Sequence, residues 1–113
     1  MGKVEWYYQR KGCKTCAKAD AFLAEHRLTV EAQVDCKKHP VERKDVPDLL
    51  TRVRQVLAMR GSALKSYSAP FEQEEVLAAV VGPSGNLRAP SLIQDGRLYV
   101  GFDEKLYDGL LNP

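Results

Sequence analysis

Val4-Glu5-Trp6-Tyr7-Tyr8, then Arg10-Lys11-Gly12, then Cys13-Lys14-Thr15-Cys16-Ala17-Lys18-Ala19 is the stretch on which the fold turns. Val4 to Tyr8 is short, aromatic and β-branched, and reads as a strand. Arg10-Lys11-Gly12 is a polar turn. From Lys14 to His26, Ala17, Ala19, Ala21, Phe22, Leu23 and Ala24 supply strong helix formers and an apolar stripe. Leu28, Val30, Ala32 and Val34 then alternate with polar residues, as in a half-buried strand. The order is strand, turn, helix, strand, and Cys13 and Cys16 stand at the strand-to-helix turn.

Working outward, Pro40 and Pro47 bracket a charged connector, and Pro47 suits the first turn of a helix. Val46, Leu49, Leu50, Val53, Val56 and Leu57 follow at 3-4 spacing, which predicts a long helix ended by Gly61. A second helix is expected over Ser68 to Val81, with Ser68 as cap and Glu72, Glu74 and Glu75 in its first turns. Gly82-Pro83-Ser84-Gly85-Asn86 is a loop. Asp95-Gly96 between Ser91–Gln94 and Arg97–Val100 predicts a hairpin. Asp103 can cap a closing helix that carries Leu106, Tyr107, Leu110 and Leu111. A βαβ unit, a helical stretch, a hairpin and a helix imply an α/β chain with one mixed sheet and helices packed on it.

The 113 residues, 12.7 kDa in all, bound this to one domain, 1–113. A hydrophobic fraction of 44% and a charged fraction of 28% suit a globular chain with its own core. No apolar run approaches the roughly 20 residues of a membrane span, so no membrane partner is expected. Met1 to Trp6 lacks the apolar stretch of a secretory signal, which makes a reducing cytoplasm the expected location. Net charge is +2, but residues 1–65 carry 14 Lys/Arg against 8 Asp/Glu, and residues 66–113 carry 3 against 7. The basic half can attract an anionic substrate or an acidic protein, although two solvated faces of opposite sign explain it more simply.

Three cysteines make a poor disulfide framework. Cys-x-x-Cys beside a βαβ unit reads instead as a thioredoxin-like redox motif. The nucleophile in such chemistry is the thiolate, and a helix N-terminus stabilises it with unpaired amides and positive dipole charge. Arg10, Lys11 and Lys14 add cationic charge. Cys13 is therefore the attacking thiolate. Cys16, one helical turn on, can face it and resolve what it has attacked. Two small buried residues at a helix start are the bland alternative. Zinc is the sharper one, because Cys13-x2-Cys16 and Cys36-x2-His39 have ribbon-like spacing. Against zinc, Cys16 opens a long helix and Cys36 need not come near Cys13, so no metal is expected. Cys36 and His39 read as incidental, and His26 as compensation of a helix dipole. Pro90 is tolerated at a strand start, and in thioredoxin-like folds a cis-Pro opens the strand beside the active thiol.

Tyr8-x4-Cys13-x-x-Cys16-x-Lys18-Ala19 followed by Phe22-Leu23 resembles the start of the glutaredoxin-type arsenate reductase (ArsC) family. The Cys-x-x-Cys form is similar to its Spx-type branch. Arg60-Gly61-Ser62 resembles the family's mid-chain motif, and Leu87-Arg88-Ala89-Pro90 with Val100-Gly101-Phe102-Asp103-Glu104 its ending. The resemblance covers essentially the whole chain. It implies a thioredoxin-like fold with a four-stranded mixed sheet: a core over residues 1–36 and 83–113, and a helical insertion over 40–81. It implies a thiol-disulfide oxidoreductase with no resident cofactor, drawing electrons from glutathione, glutaredoxin or thioredoxin. The anion-binding candidates are Arg88, Pro90, Arg60, Lys65 and Lys14. In arsenate reductases arginines around the thiol bind the oxyanion. Ala89 stands at one such position and Lys65 falls near another, so arsenate reduction should be poor. The resemblance also implies an alternative, a redox-sensing regulator that binds RNA polymerase without direct contact to nucleic acid.

Overall fold

A computed structural model describes residues 3–60 and 63–108. The opening strand is interrupted at Glu5, into β1 (Lys3–Val4) and β2 (Trp6–Gln9). Helix α1 (Lys14–Glu25) follows as expected. The next strand is likewise split, into β3 (Thr29–Val30) and β4 (Gln33–Asp35). β1 pairs with β3 and β2 with β4, both in parallel, so the βαβ unit is present. Asp95 and Gly96 have φ of 53° and 74° and turn β7 (Ser91–Gln94) into β8 (Arg97–Val100). Two positive φ values are what a two-residue hairpin turn requires. Asp103 caps α4 (Glu104–Asp108), its carboxylate accepting from the Lys105 amide at 2.9 Å. Leu110 and Leu111 lie outside the described residues.

The middle of the chain differs from the expected helical insertion. After a single turn of 3-10 helix (Arg43–Asp45), α2 covers only Val46–Leu50. Gln55–Arg60 is β5, and it pairs with β6 (Ala63–Ser68). Val46, Leu49, Leu50 and Val53 are all buried, as a helical stripe predicts. Val56 and Ala58, however, are buried at a spacing of two. A short apolar run fits both periods, and the open edge of β8 decides between them by offering backbone partners along Gln55–Ala58. Gly61, the expected terminator, is outside the described residues. The second expected helix is also shorter. Ser68 ends a strand instead of capping a helix, and α3 is Gln73–Val80 with Glu72 at its N-cap. Pro70 accounts for the delay, because the residue before a proline is pushed out of the helical region. Glu74 and Glu75 do occupy the first turn.

The six-stranded sheet has the order β4-β2-β7-β8-β5-β6. This replaces the expected four strands: the β5-β6 hairpin extends the sheet beyond β8. Helices α1 and α4 contribute Ala19, Phe22, Leu23, Leu106 and Tyr107 to one core, with Tyr7, Leu92 and Tyr99 of the sheet. Helices α2 and α3 contribute Val46, Leu49, Val76 and Val80 to the other, with Tyr8, Val56 and Ile93. Successive strand residues point to opposite faces, so Tyr7 and Tyr8 enter different cores. A mixed sheet between two helical layers, with both βαβ and ββα units, is compatible with a thioredoxin-like fold. Among the described residues no helix is long and apolar enough to cross a membrane.

Candidate active site

The site forms where β2 hands the chain to α1. Gly12, at φ 82°, makes the turn, and Cys13 follows in extended conformation at the N-cap. The Cys13 sulfur accepts from the Cys16 amide at 3.3 Å. It thus takes the place of a capping oxygen and meets one of the orphan donors of the first turn. The Cys16 sulfur accepts from the Arg10 amide at 3.4 Å. Cys13 is half-buried, whereas Cys16 is only 1% exposed.

The two thiols are tuned in opposite directions. Burial works to raise the Cys13 pKa, but the Cys16 amide and thiol, the Thr15 amide and the Arg10 guanidinium outweigh it and hold Cys13 below its ordinary value. Cys16 is pushed up to about 12, chiefly by burial and further by the neighbouring Cys13. All three cysteines are free.

Cys13 opens onto a cavity of about 420 Å³. Arg10, Cys36, Lys37, Arg88 and Ala89 line it with Cys13, and the Gly82–Asn86 turn forms part of the wall. Cys36 was expected to be incidental. It lies here because β4 runs parallel to β2 and the Cys36 amide donates to the Gln9 carbonyl at 2.9 Å, which brings the two strand ends together. Burial raises the Cys36 thiol pKa, and Asp35 and Cys13 add to this against Arg10 and Lys37. Parallel pairing of β2 with β4 is the signal that could have found it. Among the described residues no group of three or more His, Cys, Asp or Glu is arranged to hold a metal ion.

The other site candidates divide. Lys14 is the first residue of α1, exposed beside Cys13. Pro90 is buried, follows a cis Ala89–Pro90 peptide, and accepts from the Gly101 amide at 2.8 Å. Arg88 borders the Cys13 cavity, yet its Nη1 donates to the Ala79 carbonyl in the last turn of α3 at 3.1 Å. Its guanidinium therefore completes the end of that helix. Arg60 and Lys65 line a separate, smaller cavity of about 180 Å³ with Tyr67, Glu75 and Ala79, and burial together with the charge of Arg60 lowers the Arg88 pKa. Arg60 and Lys65 belong to the β5-β6 hairpin, three and four strands along the sheet from β2.

No family model matches the chain. A curated relative, the global transcriptional regulator Spx of Enterococcus faecalis, is 24% identical over 104 residues. The aligned stretch covers 86% of this chain and 78% of the relative. That distant likeness suggests the Spx and arsenate reductase family. The spacing of Cys13 and Cys16 and the contact between them support a Cys-x-x-Cys motif.

Proposed function

We propose that the chain is a thiol-disulfide oxidoreductase of the Spx and arsenate reductase kind, with Cys13 attacking and Cys16 resolving. The observation that carries this reading is the asymmetry of the pair. One thiol has a lowered pKa and faces a cavity, and the other is buried with a raised pKa one turn behind it. In the proposed reaction the Cys13 thiolate attacks a substrate disulfide and releases one thiol. Cys16 then displaces the second and closes a Cys13–Cys16 disulfide. Glutathione, glutaredoxin or thioredoxin restores the dithiol. The basic residues Arg10 and Lys37 at the cavity favour an anionic substrate. Arsenate fits poorly, since Ala89 brings no charge and the Arg88 guanidinium is engaged by Ala79.

A second reading rests on the relative's own role as a transcriptional regulator. There the same pair acts as a redox switch and the protein binds RNA polymerase. One experiment separates the two. Reduced protein is assayed for turnover of small disulfides, glutathione mixed disulfides and arsenate, and in parallel is mixed with purified RNA polymerase. Turnover of a disulfide that is lost in Cys13→Ser supports the enzyme. A stable polymerase complex without turnover supports the regulator.

A further inference from the structure

The two edges of the sheet are unlike. One is β4, three residues long. The other is β6, six residues long, paired with β5 in a register that runs unbroken from Ala63 to Ser68. Every residue of β6 is exposed except Tyr67, which is half-buried. Among the described residues, Leu64 is the large hydrophobic side chain left exposed, at 52%. A long accessible edge is a template for another strand, and proteins usually blunt it with charge, proline or a bulge. β6 has no proline, and Lys65 is its single charge.

Alternation decides which backbone groups of β6 are open. The Ala69 amide donates to the Arg54 carbonyl at 2.9 Å, one step beyond the pair of Gln55 with Ser68. In an antiparallel ladder every second residue turns both its N–H and its C=O to the neighbouring strand. Ala63, Lys65 and Tyr67 therefore face β5, and Leu64, Ser66 and Ser68 turn their backbone groups outward.

We propose that this edge joins two copies of the chain, β6 pairing antiparallel with β6 of a second copy about a twofold axis through Ser66. The two six-stranded sheets then form one. The edge is self-complementary in this register. Ser66 meets Ser66 of the second copy and Leu64 meets Ser68 of the second copy, so all the outward N–H and C=O groups are paired. On the other face Lys65 stands opposite Tyr67 of the second copy, where its stem can lie along the ring and its ammonium over the ring face. Glu75 lines the same cavity as Tyr67, so the cation of one copy also approaches an acidic side chain of the other. An axis through Lys65 would instead set two lysines face to face and carry Ser68 past the end of the facing strand. The inference is independent of the thiol chemistry, because β6 stands four strands from β2.

Sedimentation velocity of the reduced chain tests it. One strand pair makes a small interface, so monomer should give way to dimer as concentration rises from ~10 µM to ~1 mM. Ser66→Pro removes an outward N–H and leaves the bonds to β5 intact, which an edge strand tolerates. It deletes one hydrogen bond from each copy and should weaken the dimer about 10-fold or more. Leu64→Lys keeps the backbone but sets a second cation beside Lys65, and should weaken the dimer in the same direction. Ser66→Ala keeps the backbone donor and should dimerise like the wild type. Thermal midpoints measured at low concentration, where all are monomers, should be close to wild type in Leu64→Lys and Ser66→Ala. In a mixture of isotope-labelled and unlabelled wild type, an intermolecular NOE between the Lys65 and Tyr67 α-protons is the mark of the register. A wild type that stays monomeric at ~1 mM would leave the edge to an extended segment of another protein and overturn the proposal. So would a dimer that survives both Ser66→Pro and Leu64→Lys.

Discussion

The Cys16 amide donates to the Cys13 sulfur across 3.3 Å, so the backbone of one cysteine stabilises the thiolate of the other. The same helical turn that supplies this donor carries the Cys16 side chain into the interior. One piece of local geometry thus gives two identical side chains different chemistry. Cys13 gains helix-terminal donors and access to a cavity, and Cys16 gains burial.

Cys13 should be the most reactive thiol. Timed iodoacetamide labelling at pH 6–7 should modify it first, because its pKa is lowered whereas those of Cys16 and Cys36 are raised. Labelling that begins at Cys16 or Cys36 would reverse the assignment of roles.

Mild peroxide should join Cys13 to Cys16. They stand one helical turn apart and already touch through the Cys16 amide. Cys36 shares the cavity with Cys13, but its raised pKa keeps it protonated and slow to react. Peptide mapping after oxidation should find Cys36 free. A Cys13–Cys36 bond as the main product would mean that the cavity wall, and not the helix, supplies the resolving thiol.

Arsenate should be a poor substrate even with Cys13 reduced. An oxyanion must be held in line with the sulfur by fixed cationic donors. Ala89 supplies none, Arg88 is engaged at α3, and Arg60 and Lys65 line a different cavity. A positioned charged hydrogen bond is worth roughly 1.5–3 kcal/mol. Losing one costs about one to two orders of magnitude in rate. A coupled assay with glutathione and glutaredoxin, or with thioredoxin, checks this. Ala89→Arg should raise turnover; vigorous turnover by the wild type, lost in Cys13→Ser, would show that other donors suffice.

Stability should decline on the alkaline side. The folded-state pKa of Cys16 is raised from 9.0 to about 12, so between these values the unfolded chain has lost a proton that the folded chain keeps. Stability from this group is complete below pH 9 and drains away as pH rises toward 12. Tyr7, raised by burial and by its bond to Asp20, acts in the same direction. Thermal midpoints should fall progressively above pH 9, and Cys16→Ala and Tyr7→Phe should each flatten the slope. A slope unchanged in both variants would show that other groups govern alkaline unfolding.

Much of the pattern was legible along the chain because it is local. Asp95-Gly96 dictates its hairpin through backbone conformation, and Asp103 caps its helix with a carboxylate two residues from the amide it meets. Helix α1 follows from alanine and leucine propensity, and Cys13 reaches its cap position because Gly12 takes a positive φ. The expectation that Cys13 attacks and Cys16 resolves comes from these few residues.

Gln55–Arg60 reads as the end of a helix along the chain because the apolar spacing of Val53, Val56 and Leu57 serves a helix or a strand equally. The hydrogen bonds that choose the strand come from β8, some forty residues later in the chain.

By itself, the sequence determined what a single turn or a single helix can enforce: the βαβ start, the hairpin, and two thiols at a helix N-terminus. Tertiary structure alone decided which distant side chains those thiols meet. Parallel pairing of β2 with β4 brought Cys36 to the Cys13 cavity, and the docking of α4 buried Tyr107 against Phe22 of α1. It also turned the Arg88 guanidinium onto the end of α3 and left Arg60 on another strand. Propensity and capping act over three or four residues, whereas a site assembled from the ends of β2 and β4, the start of α1 and the Gly82–Asn86 turn depends on burial and pairing between segments that no local rule connects.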